Sequence, residues 1–440
     1  MRNAETVYLF RHALLRDAAY QLQLPGDRAR LHRFAFELIE ALAGGRPPEP
    51  PPLDAPEAPA FKAHGTDRFA LELVRHARVA LAAHGIEAAG EESASLASAA
   101  ALYLRRAAEV TSRQFRHETA ETCWLELAAL QCGGVRAAAL RLAGEAAHGR
   151  GCPFEAEKHF EGALNGFREV GDRVSEGVAL GSLAGVYRET GRVEQAERTY
   201  EQALAIDREV GNRRIEGAAL GNLAILYSET GRVAQSERTY EQALAIQREV
   251  GNRRFEGVVL GNLANVYRQT GRVKQAERAY GQALTIHREV GDRRSEGVAL
   301  GNLTGVYHQT GRVEQAEQTY EKALAILREV GIRRSEGIAL GNLAALYNDT
   351  GRIDLAERTF AVSLAIHREV GNRRFEGLHL CAFCEVFLAL KKLDKARETW
   401  RQGATILRQL GDSQEIQSRT DRMRQACAKA GVLPFDEAPH

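Results

Sequence analysis

Residues 211–250 read GNRRIEGAAL GNLAILYSET GRVAQSERTY EQALAIQREV, and residues 251–290 repeat 27 of these 40 positions without a gap. The same register returns at six glycines, each opening a 40-residue unit: Gly171, Gly211, Gly251, Gly291, Gly331 and Gly371. One structural unit has therefore been copied along the chain. Units of this length stack on their neighbours into a solenoid, which has no single enclosed core.

Each unit carries the apolar spacing of two helices. In the quoted stretch, Leu220, Leu223 and Tyr227 recur at intervals of three and four residues, which predicts a first helix, helix A, from 214 to 230. A glycine follows, and a second apolar stripe predicts helix B from 233 to 250. The connection is short, so we expect the two helices to run antiparallel.

Glycines punctuate the unit in two ways. Gly251 and Asn252, between two units, predict a C-cap followed by an N-cap. Gly257 and Gly261 lie inside helix A instead, where each glycine costs about 1 kcal/mol relative to alanine. Close helix packing would offset that cost, so we expect both glycines to lie where a neighbouring helix approaches.

The motif Leu-Gly-Asn-Leu-Ala-x-x-Tyr, followed by Thr-Gly-Arg and Ala-Glu-Arg-x-Tyr-x-x-Ala-Leu, resembles the tetratricopeptide repeat. Tyr227, Gly231, Tyr240 and Ala243 fall on its signature positions. The 40-residue spacing is similar to that of kinesin light chains and of cell-polarity adaptors. The resemblance implies an all-α fold, a right-handed superhelical solenoid of antiparallel helix pairs. It also implies that helix A lines a concave groove that binds proteins or peptides.

One asparagine per unit lies on a separate stripe of helix A: Asn222, Asn262, Asn302 and Asn342. An amide both donates and accepts hydrogen bonds, so a ladder of amides can hold the backbone of an extended peptide without demanding one sequence. The tetratricopeptide family uses asparagine at this position for that purpose. Alternatively, these asparagines bond to neighbouring helices or were simply copied with the repeat.

Beside the asparagines the copies diverge, as residues that select a ligand's side chains would. The variable positions that we place in the candidate groove are Asn265, Arg188, Arg268, His308 and Asn348. Drift at lightly packed positions would give the same variation, and both interpretations stay open at this point.

Charge and composition narrow the choice of partners. Charged residues make up 27% of the chain and nearly cancel, with a net charge of +1. Arginine pairs such as Arg253 and Arg254 lie close to glutamates, which favours a solvated ion-pair network over a phosphate-binding ladder. We therefore expect no nucleic acid and no membrane as partner. Six scattered cysteines and the lack of a signal-peptide core favour a cytoplasmic location.

Catalytic and metal-binding patterns are weak. Cys381 and Cys384 have the spacing of half a zinc site, but they replace small residues of the preceding unit inside helix A. The 13 histidines do not cluster with carboxylates or cysteines at metal-ligand spacing. No Gly-x-x-x-x-Gly-Lys-Ser/Thr loop occurs, so no phosphate cradle is present in the sequence. We expect no enzyme, no cofactor and no metal.

The string Phe-Arg-His-x-Leu-Leu-Arg-x-Ala-Ala-Tyr, which ends at Tyr20, resembles the helical end of the ATPase module in signal-transducing ATPases with C-terminal repeats. Seven of the 11 prolines follow between Pro47 and Pro59, which predicts a stiff linker. We divide the chain into a helical remnant at 1–45, a proline-rich linker at 46–60, degenerate helical repeats at 61–170, six clear units at 171–410, and a C-terminal capping helix and tail at 411–440.

The sequence thus predicts a scaffold that binds a protein or extended peptide in the groove. Two alternatives remain. The chain is the sensor half of a signalling ATPase or cyclase whose catalytic part lies on another chain, or its near-identical repeats assemble end to end.

Overall fold

The computed structural model describes residues 24–54, 61–82 and 91–436, and within these ranges the chain forms nineteen α-helices and no strand. Six helices precede the regular repeats: α1 (Pro25–Leu42), α2 (Ala70–Ala82), α3 (Glu91–Arg113), α4 (His117–Leu130), α5 (Gly133–Gly149) and α6 (Pro153–Val170). A 3-10 turn, Asp67–Phe69, leads into α2. The string ending at Tyr20, on which the ATPase resemblance rests, lies outside the described residues.

The six regular units supply twelve helices of 17 residues each. They are α7 (Arg173–Glu189), α8 (Val193–Glu209), α9 (Arg213–Glu229), α10 (Val233–Glu249), α11 (Arg253–Gln269), α12 (Val273–Glu289), α13 (Arg293–Gln309), α14 (Val313–Glu329), α15 (Arg333–Asp349), α16 (Ile353–Glu369), α17 (Arg373–Ala389) and α18 (Leu393–Gln409). A final helix, α19, spans Ser413–Ala430. The predicted helices A and B are confirmed to within one residue at each end, as is the all-α array of helix pairs.

Each unit ends as its glycine predicts. Gly251 adopts a left-handed conformation with φ of 66°, which an L side chain rarely tolerates. Asn252 then caps α11 by accepting a hydrogen bond from the backbone N–H of Phe255 at 3.5 Å. At the equivalent place Asp292 accepts one from Ser295 N–H at 3.1 Å. These caps satisfy backbone groups that would otherwise lack partners and fix where helix B stops and the next helix A begins.

The described chain falls into two compact units, divided between Leu226 and Tyr227. In the first unit, Tyr103 and Trp124 are buried in a core built by α1 to α5. In the second unit, Tyr280, Tyr320 and other large side chains form a series of small cores, each made by successive helices. Each core belongs to a few neighbouring helices, as stacking of repeats requires.

The two glycines inside helix A have different surroundings, which corrects the sequence-based prediction. A Cβ on Gly257 would lie 2.7 Å from the His287 ring and 3.1 Å from Ile286, so this glycine does allow α11 and α12 to pack closely. A Cβ on Gly261 would meet nothing within 4 Å. Gly261 is therefore not at a helix contact, because it lies about 6 Å further along α11 and about 40° around its axis from Gly257.

The arginines and glutamates form ion pairs between successive 40-residue repeats, and they make a network rather than a basic surface. Glu256 is buried, and its carboxylate accepts hydrogen bonds from Arg248 at 2.9 Å and from Arg253 at 2.6 Å. Burial would raise the pKa of Glu256, but the two arginines outweigh it and hold that pKa below its ordinary value. Arg253 also forms an ion pair of 2.6 Å with Glu289, 36 residues downstream.

Candidate functional site on the A helices

Successive A helices touch one another in the second unit, where α11 contacts α13 and α13 contacts α15. We use the name A-helix face for the surface of these three helices that carries Asn262, Asn302 and Asn342. Asn262 and Asn302 are half-buried and Asn342 is exposed. The three asparagines therefore lie at equivalent positions of neighbouring A helices, one in each repeat.

The asparagine amides of the A-helix face are not engaged by the protein. In the ranges that the structure describes, the side chains of Asn262, Asn302 and Asn342 have no hydrogen-bond partner. The alternative, that they bond to neighbouring helices, finds no support in these contacts. Each amide keeps its donors and its acceptor available to a molecule outside the chain.

Small and apolar positions surround the amides. Gly261 and Gly301 precede the asparagines, and a Cβ on either would meet nothing within 4 Å, so another backbone can approach closely there. Val258 and Val298, one turn earlier on the same stripe, are each 37% exposed. The A-helix face therefore combines open amides with accessible apolar side chains, a combination that suits a peptide with alternating contacts.

Asn265 and Arg268 lie on α11 beside the row of asparagines. The Tyr280 hydroxyl donates a hydrogen bond of 2.6 Å to Asn265 Oδ1, which leaves the Asn265 amino group free. The Arg268 side chain runs over Gly305 of α13, with its Cδ and Nε 3.6 and 3.7 Å from the place a Cβ would take. Glycine at 305 thus makes the room that Arg268 occupies.

His308 and Asn348 lie nearer to the C-terminal helix. His308 Nε2 lies 3.1 Å from Asp349 Oδ2, and this hydrogen bond holds the pKa of Asp349 below its ordinary value. Arg422 of α19 reaches the same carboxylate at 3.6 Å and Glu385 at 2.9 Å. Asn348 lines the adjoining cavity of about 760 Å³. The charges in this region compensate one another.

Two predicted site residues belong to the first compact unit. Asn222 is exposed on α9. Arg188 of α7 lies 3.6 Å from Glu189, which also accepts a hydrogen bond from His148 at 2.8 Å. Each therefore lies on a helix A, but the environment of Arg188 differs from that of Arg268 because a carboxylate is next to it.

Catalytic and metal-binding chemistry has little to build on. Cys381 and Cys384 are buried in α17, and burial raises the pKa of the Cys381 thiol to about 12, so it stays protonated. Within the described ranges, no group of three or more His, Cys, Asp and Glu side chains has a geometry that could hold a metal ion. None of the described helices is long and apolar enough to cross a membrane.

One buried position of helix B escaped the sequence analysis. Its occupants in the six units are Asp207, Gln247, His287, Leu327, His367 and Leu407, and all pack inside. Both carboxylate oxygens of Asp207 lack a hydrogen-bond partner in the described structure. His367 Nε2 lies 3.0 Å from Nδ1 of His379, a second buried imidazole. The signal in the sequence was that one position of helix B holds polar residues in four repeats and leucine in the other two.

Comparison with known proteins agrees with this architecture. Tetratricopeptide repeat profiles match residues 135–209, 177–249, 215–289, 255–329 and 337–361, which together cover half of the chain. Among curated proteins, none matches by sequence.

Solved structures with the same fold share little sequence. The Rap conjugation gene regulator of the plasmid pLS20, in complex with the Phr* peptide, is 14% identical over 79% of this chain and 97% of its own, with a TM-score of 0.54. A signal transduction ATPase with numerous domains from Pyrococcus horikoshii, which has a tetratricopeptide repeat sensor, is 15% identical over 80% of this chain and 55% of its own, with a TM-score of 0.52.

Repeats of a putative kinesin light chain from Podospora anserina are 23% identical over 44% of this chain and 95% of their own, with a TM-score of 0.36. The profile matches fall on the helix pairs described above, from α5 to α16. The chain belongs to the tetratricopeptide repeat family.

Proposed function

We propose that this protein is a non-enzymatic scaffold that binds an extended peptide, or a flexible segment of a partner protein, along the A-helix face. The peptide backbone bonds to Asn262, Asn302 and Asn342, and its apolar side chains contact Val258 and Val298. In the first compact unit, the equivalent asparagine is Asn222, which is exposed on α9.

The observation that carries the proposal is the unsatisfied state of the three amides. Each is accessible, each lacks a protein partner, and one recurs on every A helix from α11 to α15. A repeating donor and acceptor matches the repeating N–H and C=O groups of an extended chain. A Rap regulator with a similar fold was solved in complex with a peptide, which supports a peptide as the kind of ligand.

The test is selection of random dodecapeptides displayed on phage against the full chain, followed by calorimetric titration with the best synthetic peptide. Each lost hydrogen bond weakens binding by about 0.5–1.5 kcal/mol, so alanine at Asn262, Asn302 and Asn342 together should weaken it about 10- to 2,000-fold. Folding should survive, because alanine is the better helix former.

A matched control removes three other amides. Gln275, Gln282 and Gln315 are exposed on B helices, and replacing them with alanine should leave the affinity unchanged. Equal loss of affinity in both triple variants would show that the effect is not local to the A-helix face. An unchanged affinity in the asparagine variant would move the binding surface elsewhere.

A second function, the sensor half of a signal-transducing ATPase, is favoured by one observation. Helix α1 exposes an apolar stripe made of Leu31, Phe34, Leu38 and Leu42, of which Leu42 is 79% exposed. An exposed apolar stripe of this kind is typical of a protein–protein contact, in which the surface of a partner domain buries it. Co-purification with a P-loop protein encoded by a neighbouring gene, lost on changing Leu38 and Leu42 to serine, would support this function.

A further inference from the structure

Arg268 has no ion-pair partner among the described residues, unlike Arg188 and His308, which occupy the same position of helix A in other repeats. Its Nε atom is buried without a hydrogen-bond partner among the described residues, and no carboxylate in the same ranges forms an ion pair with it. A guanidinium that is partly removed from water without a counterion is unfavourable. The charge of Arg268 therefore remains uncompensated on the A-helix face.

The groups around Arg268 are neutral. Its side chain lies over Gly305 and close to the hydroxyl groups of Tyr280 and Tyr320. Burial raises the pKa of both tyrosines to about 12, so both hydroxyls are neutral near pH 7, and the positive charge of Arg268 acts in the opposite direction. Hydroxyl oxygens can accept hydrogen bonds from the guanidinium, but they cannot neutralise it.

Other repeats indicate the position at which a carboxylate partner for Arg268 would lie. His148 pairs with Glu189, and His308 pairs with Asp349, in each case 41 residues further along the chain. The residue 41 positions after Arg268 is Gln309, which is exposed and neutral. The other arginine of this row, Arg188, is followed at the same spacing by Glu229, whereas Arg268 is followed by the neutral amide of Gln309.

We propose that Arg268 is the subsite for a carboxylate of the bound peptide, so that the A-helix face selects an acidic residue between the contacts to Asn262 and Asn302. This inference rests on the proposed peptide binding and specifies the chemistry of its ligand. The guanidinium and the free amino group of Asn265 provide donors for one carboxylate. Gly301 leaves space for it on α13.

The experiment repeats the dodecapeptide selection with four versions of the full chain. Arg268→Ser copies the residue that stands at Ser228 in the equivalent place. Gln309→Glu leaves Arg268 intact but places a carboxylate at the position that Glu189 and Asp349 occupy in their repeats. Arg278→Ser is the control, since Arg278 is exposed on helix B and its loss changes the net charge by the same amount.

We expect Asp and Glu to be enriched at one position of the peptides selected by the natural chain and by Arg278→Ser. Neither Arg268→Ser nor Gln309→Glu should show that enrichment. With the best peptide, changing its acidic residue to the amide should weaken binding about 10- to 100-fold on the natural chain and by less than about 3-fold on Arg268→Ser.

Acidic enrichment that persists in both Arg268→Ser and Gln309→Glu would overturn the subsite. Peptides that depend on the asparagines but show no acidic preference would overturn it too, while leaving the proposed peptide binding intact. Selection of no peptide at all would overturn both proposals. If Arg268→Ser fails to fold by circular dichroism, the surface substitution Gln309→Glu decides the question.

Discussion

Asp207 offers the sharpest test of how the array is stabilised. Its carboxyl group is 1% exposed, and neither oxygen has a hydrogen-bond partner among the described residues. Burial, with a smaller effect from Glu216, raises the pKa of Asp207 to about 6, against an ordinary value of 3.8. Each pKa unit corresponds to about 1.4 kcal/mol, so the ionised carboxylate costs the folded state roughly 3 kcal/mol at pH 7.

Another repeat has an apolar residue at the position of Asp207. Leu327 occupies the equivalent position and packs against Gly297, as Asp207 does against Gly177. We expect Asp207→Leu to raise the free energy of unfolding by about 3 kcal/mol at pH 7.5, because the uncompensated charge is removed and an apolar side chain is buried. The reciprocal change, Leu327→Asp, should destabilise by at least as much and serves as the matched control.

The energetic cost of Asp207 depends on pH. The folded state holds a proton on Asp207 up to about pH 6, whereas the unfolded state loses it near pH 3.8. The cost is therefore complete above about pH 6 and disappears as the pH falls towards 3.8, so the advantage of Asp207→Leu should shrink over this range. The assay is urea unfolding followed by circular dichroism, with hydrogen exchange of α7 and α8 as the local readout. An advantage that is absent at pH 7.5, or independent of pH, would refute the reasoning.

Three further predictions concern the packing of the second unit. Gly261→Leu should keep or raise the melting temperature, since leucine is a better helix former than glycine and open space surrounds position 261. Gly257→Leu should lower stability by about 1–3 kcal/mol through overpacking. Equal melting temperatures of the two variants would contradict this prediction. Burial lowers the pKa of His367 to about 4, so below about pH 6.5 the unfolded state binds a proton that the folded state excludes, and stability falls. His367→Leu should therefore flatten the fall of the melting temperature between pH 7 and 5. Glu256→Gln should cost about 1–2 kcal/mol at pH 7, measured by urea unfolding, and the cost should vanish as the pH falls below the lowered pKa of Glu256. A cost that stays constant down to that pH would show that its carboxylate charge contributes nothing.

The sequence alone determined the periodic part of the structure. Helix bounds follow from local rules, because Gly251 requires a left-handed backbone and Asn252 caps the next helix wherever they occur. The row that carries Asn262 could be separated from the apolar rows, because helical periodicity assigns residues to faces. Only the tertiary structure shows that these amides have no hydrogen-bond partner among the described residues.

The tertiary structure decided whatever depends on contacts between helices. Gly257 and Gly261 look alike in the sequence, yet only the first meets a neighbouring helix, and no local rule contains the position of His287. The same holds for charge. Arg268 and His308 occupy the same position of helix A in successive repeats, yet only His308 has a counterion, Asp349, which lies 41 residues further along the chain. Electrostatic and packing energies depend on distance in space, and sequence periodicity gives direction around a helix without giving that distance.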